Sequence, residues 1–493
     1  MIRLDDISFT YAARHRGEHT PEVLKGCTLH VEAGQALAVM GATGAGKSTL
    51  SYVLAGLAPR HTGGRLSGSV VINGHNVAET PPPIGSVGLL FQDAATQLFN
   101  TTVEDEIAWG LEAMGLPPGE IGERVRASLA RFELEPDRRR PPWALSGGQQ
   151  KRLALAALSA MRPRVLILDE PWGGLDPHGR SDVHAAIESL QAAGTTLVLM
   201  TLRVETAARI GTVATLHDGE LSEPAAAVDL LADEAALIAS GLYLPTSAWP
   251  GLGPVHPLQD GPPAIEIRSL EFHYPSESGD TKALHGIDLT IPPGQFVAVV
   301  GPNGAGKSTL VRHFNGLLRP THGTVSVLGQ PIGRRSTGEM ARQIGFLFQR
   351  PEQQLFAPTV REEVAYGPTQ LGMEKADDHV QQVLRRFGLE TVADSPPALL
   401  GYGAQRTVTL AALAALSTPI VVLDEPTVGL DGHGLMQLLT WLSDLRASGV
   451  TIVLITHEMA LAARADRVIA LEAGRVVNDG PPATVLTEQL KGE

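Results

Sequence analysis

One ten-residue pattern is spelled twice in this chain, and it constrains the architecture more than any other feature. Gly41-Ala42-Thr43-Gly44-Ala45-Gly46-Lys47-Ser48-Thr49-Leu50 is matched by Gly301-Pro302-Asn303-Gly304-Ala305-Gly306-Lys307-Ser308-Thr309-Leu310, 260 residues later. Leu168-Asp169-Glu170-Pro171 is matched by Leu423-Asp424-Glu425-Pro426 at an offset of 255. The motifs keep their order, so the chain is a duplicated domain. Its period lies far above the ~20–50 residues of solenoid repeats. A length of 493 residues gives each copy enough chain for its own core.

Short apolar runs place the motifs. Ala36–Met40 and Phe296–Val300 read as strands that end at the glycine loops. Val165–Leu168 and Ile420–Leu423 read as buried strands ending in Asp-Glu, and Thr196–Met200 and Val450–Ile455 as further buried strands. Helical stretches between such runs predict an α/β fold with a mostly parallel sheet in each copy. The expected units are residues 1–222 and 264–493. Residues 223–263 between them hold a closing helix over Ala225–Ser240 and a Pro/Gly-rich linker over Leu244–Pro263.

A Gly-x-x-x-x-Gly-Lys-Ser loop between a strand and a helix is built for phosphate. Gly41, Gly44 and Gly46, like Gly301, Gly304 and Gly306, let backbone amides curl around phosphate oxygens. Lys47 and Lys307 supply a point charge, and Ser48 and Ser308 can reach magnesium, each followed by a threonine, Thr49 and Thr309. The following helix adds its positive N-terminal end. Asp169 and Asp424 offer a metal-side carboxylate, and Glu170 and Glu425 a second acid able to polarise water.

The rest of the composition excludes more than it assigns. The formal net charge of −14 argues against a general nucleic-acid binder. A single cysteine, Cys27, leaves no intrachain disulfide and no cysteine zinc cluster, and fits a reducing compartment. No stretch reaches the ~18 uninterrupted apolar residues of a membrane helix. The acidic start Met1-Ile2-Arg3-Leu4-Asp5-Asp6 is unlike a signal peptide. A cytoplasmic protein is expected.

Leu145-Ser146-Gly147-Gly148-Gln149-Gln150 lies shortly before the first Asp-Glu strand. Together with the glycine loops and the Leu-Asp-Glu-Pro strands, it resembles the ATPase subunits of ABC transporters, twice over nearly the whole chain. The resemblance implies a helical subdomain beside each sheet and a head-to-tail pair of domains. Two ATP molecules would then bind between the domains, each held by the phosphate loop of one and the Ser146-Gly147-Gly148-Gln149 type of motif of the other. It implies that Tyr11 and Tyr274 stack on adenine and that Gln92 and Gln349 reach magnesium and sense a membrane partner. Asp176 and Asp431 match the aspartate after the catalytic strand, and His457 matches a histidine that contacts the γ-phosphate.

The copies differ where it matters. At the 255 offset His457 faces Leu202, which can donate no hydrogen bond. Leu145-Ser146-Gly147-Gly148-Gln149 faces Leu400-Gly401-Tyr402-Gly403-Ala404, without the hydroxyl and with Tyr402 in place of a glycine. Under the implied pairing, Lys307, Gln349, Glu425 and His457 meet the intact motif of the first copy. Lys47, Gln92, Glu170 and Leu202 meet the altered one. The expectation is one hydrolytic site and one site that mainly holds nucleotide, with slow hydrolysis through Glu170 still open.

After each glutamine comes a second matched segment, Gln97-Leu98-Phe99 in the first copy and Gln354-Leu355-Phe356 in the second. These segments resemble energy-coupling factor (ECF) transporter ATPases, which energise cobalt, nickel and vitamin importers. The resemblance implies a transmembrane scaffold docked near these residues and a separate substrate-binding membrane protein. A peripheral place on the cytoplasmic membrane face follows. A soluble ABC protein acting on ribosomes or nucleic acid, and a tandem sugar-importer ATPase, are the alternatives.

Overall fold

The computed structural model describes residues 1–12, 22–252, 261–275, 281–374 and 376–492. The chain divides into two units, Met1–Tyr243 and Leu244–Glu493. The boundary falls inside the segment expected to join them. Leu237 and Leu242 pack with Ala38, Met40 and Val213 of the first unit, so the two short helices Ala227–Leu230 and Glu234–Ala239 belong to it. Leu244, Trp249 and Leu252 pack on the second unit's core instead. Residues 253–260 of the expected linker lie outside the described residues.

In the first unit a four-stranded antiparallel sheet pairs Ile2–Thr10 with Glu22–Val31 and Arg65–Ile72. Alternation in Ile2–Thr10 buries Ile2, Leu4, Ile7 and Phe9 on one face. The larger sheet runs Thr212–His217, Ala36–Met40, Thr196–Thr201, Val165–Asp169 and Val87–Leu90, all mutually parallel, with Glu220–Leu221 and Ala225–Ala226 pairing antiparallel with Thr212–His217. Ala36–Met40, Val165–Asp169 and Thr196–Thr201 are buried at every residue, as expected for strands covered on both faces. Each fully buried Val, Leu or Ile there contributes roughly 1.5–3 kcal/mol of transfer free energy.

The second unit repeats the plan. Its strands run Ile344–Leu347, Ile420–Asp424, Thr451–Ile455, Phe296–Val300 and Arg467–Glu472 in parallel, with Arg475–Gly480 antiparallel at the edge. The strand before each glycine loop is central, and the Asp-Glu strand lies two places away. Ligands of open α/β sheets collect at this carboxyl end.

Helices form a separate layer in each unit. Val103–Ala113, Pro118–Arg131 and Gly147–Ala160 pack through Ile107, Leu129 and Leu153 in the first. Val360–Leu371, Ala376–Arg386 and Tyr402–Ala415 do so through Val364, Leu384 and Leu410 in the second. Thr102 and Thr359 cap the first helix of each set, accepting from Asp105 N at 3.1 Å and Glu362 N at 3.2 Å. Among the described residues no helix is long and apolar enough to cross a membrane.

Candidate functional site

The glycine loops are shaped by contacts that exclude side chains. At Gly301, with φ +140°, a Cβ would fall 2.0 Å from the Leu471 carbonyl oxygen. At Gly306, with φ +97°, it would fall 3.0 Å from the Ala283 carbonyl oxygen. Helices begin directly after the loops, at Lys47 and Lys307. Both ammonium groups are buried and fold back over the loop. Lys47 donates to Gly41 O at 2.5 Å and Ala42 O at 3.1 Å, and Lys307 to Gly301 O at 2.7 Å and Pro302 O at 2.9 Å.

The phenols of Tyr11 and Tyr274 reach the same helices. They hydrogen-bond Thr49 Oγ1 at 3.0 Å and Thr309 Oγ1 at 3.2 Å. Phe9 and Phe272 brace their rings edge-on.

The Asp-Glu ends face the loops. Ser48 donates to Asp169 Oδ2 at 2.6 Å. Glu170 and Glu425 both hold left-handed backbone, φ 47° and 50°, which costs a non-glycine residue about 1–3 kcal/mol. Their amides bond to Met200 O and Ile455 O, each at 3.0 Å, tying them to the neighbouring strand. Burial pushes both carboxyls up, Glu170 to about 7 against the pull of Lys47. Glu425 rises for the same reason, reinforced by the Asp424 charge. Glu170 Oε1, Glu425 Oε1 and both Asp424 carboxylate oxygens are buried with no hydrogen-bond partner.

The units diverge after the next strand. His457 Nε2 lies 3.5 Å from Glu425 Oε1, 3.5 Å from Lys307 Nζ and 3.1 Å from Asn303 Oδ1. In the first unit Leu202 and Thr43 stand at the matching positions, and the Leu202 side chain can form no hydrogen bond in place of the imidazole.

Ser146 begins the helix Gly147–Ala160 with a capping box. Its hydroxyl accepts from Gln149 N at 3.3 Å, while Gln149 Oε1 accepts from Ser146 N at 3.0 Å. Gly147 is exposed, and a Cβ there would meet nothing within 4 Å. The matching helix Tyr402–Ala415 starts at Gly401 with no side-chain cap. Asp176 and Asp431 also cap helices, accepting from Gly179 N at 2.7 Å and Gly434 N at 2.8 Å.

Gln92 and Gln349 follow the strands Val87–Leu90 and Ile344–Leu347. The segments after them turn inward at one end and outward at the other. Gln97 and Gln354 accept from the amides of Phe91 at 2.9 Å and Phe348 at 3.0 Å, so they brace the loop instead of pointing outward. Leu98 and Leu355 pack on the core. Phe99 and Phe356 are 59% and 64% exposed and stack edge-on with Trp109 and Tyr366.

Two buried glutamates that the motifs did not single out support these aromatics. Glu106 Oε2 accepts from the amides of Phe99 and Asn100, at 3.0 and 2.7 Å. Glu363 Oε2 accepts from Phe356 and Ala357, at 2.9 and 2.8 Å. Charge-assisted bonds of this kind are worth about 1.5–3 kcal/mol each. Glu363→Ala is therefore expected to speed hydrogen exchange at the Phe356 and Ala357 amides by about tenfold or more. Unchanged protection there would show that Glu363 does not hold the loop.

A phosphate-cradling loop after a central parallel strand, with an acidic strand end two places away, defines a P-loop nucleotide hydrolase. The chain belongs to the ABC transporter ATPase family, whose model matches residues 24–173 and again 284–428. It is therefore a tandem ATPase that binds and hydrolyses ATP. An ABC transporter ATP-binding protein, provisionally so described, from Caldanaerobacter subterraneus is 33% identical, over 99% of this chain and 92% of its own. One from Methanosarcina acetivorans is 34% identical, over 97% and 90%. Among solved structures, cbiO1 from Clostridium perfringens, part of an ABC transporter complex, is 31% identical over 46% of this chain and 92% of its own, with TM-score 0.40. A dimeric ATP-binding cassette bound to ADP and Pi is 27% identical over 44% and 98%, with TM-score 0.42.

Proposed function

We propose that this chain is the energising subunit of an ECF-type importer, in which the second unit's catalytic residues carry turnover. The observation that carries the catalytic half is the His457–Glu425–Lys307–Asn303 cluster, whose central imidazole is replaced in the first unit by the apolar Leu202. The family resemblance supplies the pairing: Ser146, Gly147, Gly148 and Gln149 complete the site built on the second unit, and Gly401 and Tyr402 face the one built on the first.

Within that reading, the amides of Gly301, Gly304 and Gly306 and the ammonium of Lys307 hold the phosphates, with Thr309 behind them and Tyr274 beside the base. The loop at Gly41, Gly44 and Gly46, with Lys47, Thr49 and Tyr11, does the same in the first unit. Glu425 orients a water and accepts its proton, while His457 fixes the geometry between Glu425 and the γ-phosphate. Glu170 keeps the general-base position without that support.

Magnesium fits the residues present. Asp424 presents two buried, unpartnered carboxylate oxygens, and Asp169 lies 2.6 Å from Ser48. All-oxygen donors suit this hard cation. Ser308, Gln349 and Asp424 would hold it in the second unit, and Ser48, Gln92 and Asp169 in the first. Bound there, it would neutralise phosphate charge.

The importer half rests on the resemblance of the Gln-Leu-Phe segments and on the paired exposed aromatics beside each glutamine. A transmembrane scaffold docking on Phe99/Trp109 and Phe356/Tyr366 would place the chain on the cytoplasmic face of the membrane, with a second membrane protein binding the solute. Affinity purification of the tagged chain from gently solubilised host membranes tests this. Recovery of a polytopic scaffold and a small membrane protein is expected, and a Phe99→Ala/Phe356→Ala double variant should lose most of it. Recovery of ribosomes, or of the chain alone, would contradict the importer reading and leave the ATPase intact.

A further inference from the structure

The altered helix of the second unit makes contacts that its counterpart does not. Arg406 is wholly buried, and no carboxylate among the described residues forms an ion pair with it. Its guanidinium donates to Phe348 O at 2.6 Å and also to Gln349 O, and its Nε has no partner. Tyr402, one turn earlier, lies under the guanidinium, which is 6.0 Å from its ring centre. The Tyr402 hydroxyl is 3.5 Å from both Arg406 and Gln349 O, and its ring closes against Gly429.

At the 255 offset the first unit has Gly147 and Lys151. Lys151 is also buried but turns elsewhere, donating to Glu170 O at 3.0 Å and Gly173 O at 2.7 Å. Burial lowers its ammonium to about 8. A buried cation with incomplete partners is costly, and such groups are kept where geometry is at stake. A planar guanidinium also grips two adjacent carbonyls in a way that an ammonium cannot.

We propose that Arg406, with Tyr402, is a positioning pair that clamps the backbone at Phe348 and Gln349, so that the helix which lost the Ser-Gly-Gly motif serves the catalytic glutamine of its own unit. The proposal rests on the reading that the second unit carries turnover. Its structural arm, hydrogen exchange, does not depend on turnover.

Arg406→Lys tests it by giving the second unit the cation of the first. Exchange in the peptide spanning residues 346–357 should rise about tenfold in the full-length chain. The kcat for ATP should fall about tenfold or more with KM within about twofold, because misplacement costs rate more than binding. Unchanged exchange would overturn the proposal. So would raised exchange with unchanged kcat, or a rise in KM accompanied by lost thermal stability, which would mark Arg406 as a packing residue only. If Arg406→Lys does not fold, Tyr402→Phe, which keeps the ring against Gly429 and removes the hydroxyl, is judged by the same exchange and kcat criteria with the same contradicting outcomes. Full turnover in a Glu425→Gln variant would instead remove the catalytic reading and leave the exchange result standing.

Discussion

Glu425→Gln is expected to reduce ATP turnover by about 10²–10⁴-fold, the usual worth of a positioned general base. Glu170→Gln should leave turnover within about threefold, since only the stated difference in support separates the two acids. The substitution is nearly isosteric, and both side chains are buried, so folding should be preserved in each variant. What differs is the surroundings. Glu425 has His457 at 3.5 Å, and His457 is held in turn by Asn303 and Lys307. Glu170 has Leu202 after the same strand, whose side chain cannot hydrogen-bond the carboxyl or the γ-phosphate. Equal losses in steady-state assays on the two purified variants would contradict the asymmetry.

Gly147→Tyr should have an effect of similar size from the opposite unit. It copies Tyr402 into the intact motif. Gly147 is exposed at a helix start and its Cβ would meet nothing within 4 Å, so the first unit accommodates the ring. If the second unit's ATP must approach this helix, the ring blocks the approach, and a displacement of an ångström or more costs about 10²-fold. A folded variant with normal turnover would show that the Ser146–Gln149 motif does not serve the catalytic site. Circular dichroism and thermal melting establish the folding.

Much of this was legible in the residues themselves. The glycine loops, the buried strands and the Asp-Glu ends are local patterns, and the strands occur within a residue of where the apolar runs placed them. The helix starts at Thr102 and Thr359 carry the local Thr-x-x-Asp and Thr-x-x-Glu pattern of a cap, Thr102 with Asp105 and Thr359 with Glu362. The exchange of His457 for Leu202 was legible because duplication supplies an internal comparison.

Other features were hidden because they depend on tertiary partners. Nothing in the spacing of Glu106 or Glu363 says that they fold under the aromatic loops. Gln97 and Gln354, expected near a partner, turn back to the amides of Phe91 and Phe348. Arg406 reads as an ordinary helix cation until its two carbonyl acceptors are seen. The left-handed backbone at Glu170 and Glu425 leaves no mark in composition, since both residues are non-glycine. The join was expected as one closing helix over Ala225–Ser240 followed by a linker over Leu244–Pro263; the helix is instead two short ones, Ala227–Leu230 and Glu234–Ala239, and the apolar residues divide between two cores, Leu237 and Leu242 to one and Leu244 and Trp249 to the other.

One chain is expected to contain one fast hydrolytic site, built on the second unit. Rapid mixing of the purified chain with radiolabelled ATP, quenched over time and analysed for bound ATP and ADP, distinguishes one fast site from two. One nucleotide per chain should convert to ADP at the turnover rate while a second stays as ATP over many cycles. Conversion of both nucleotides at one common rate would contradict it.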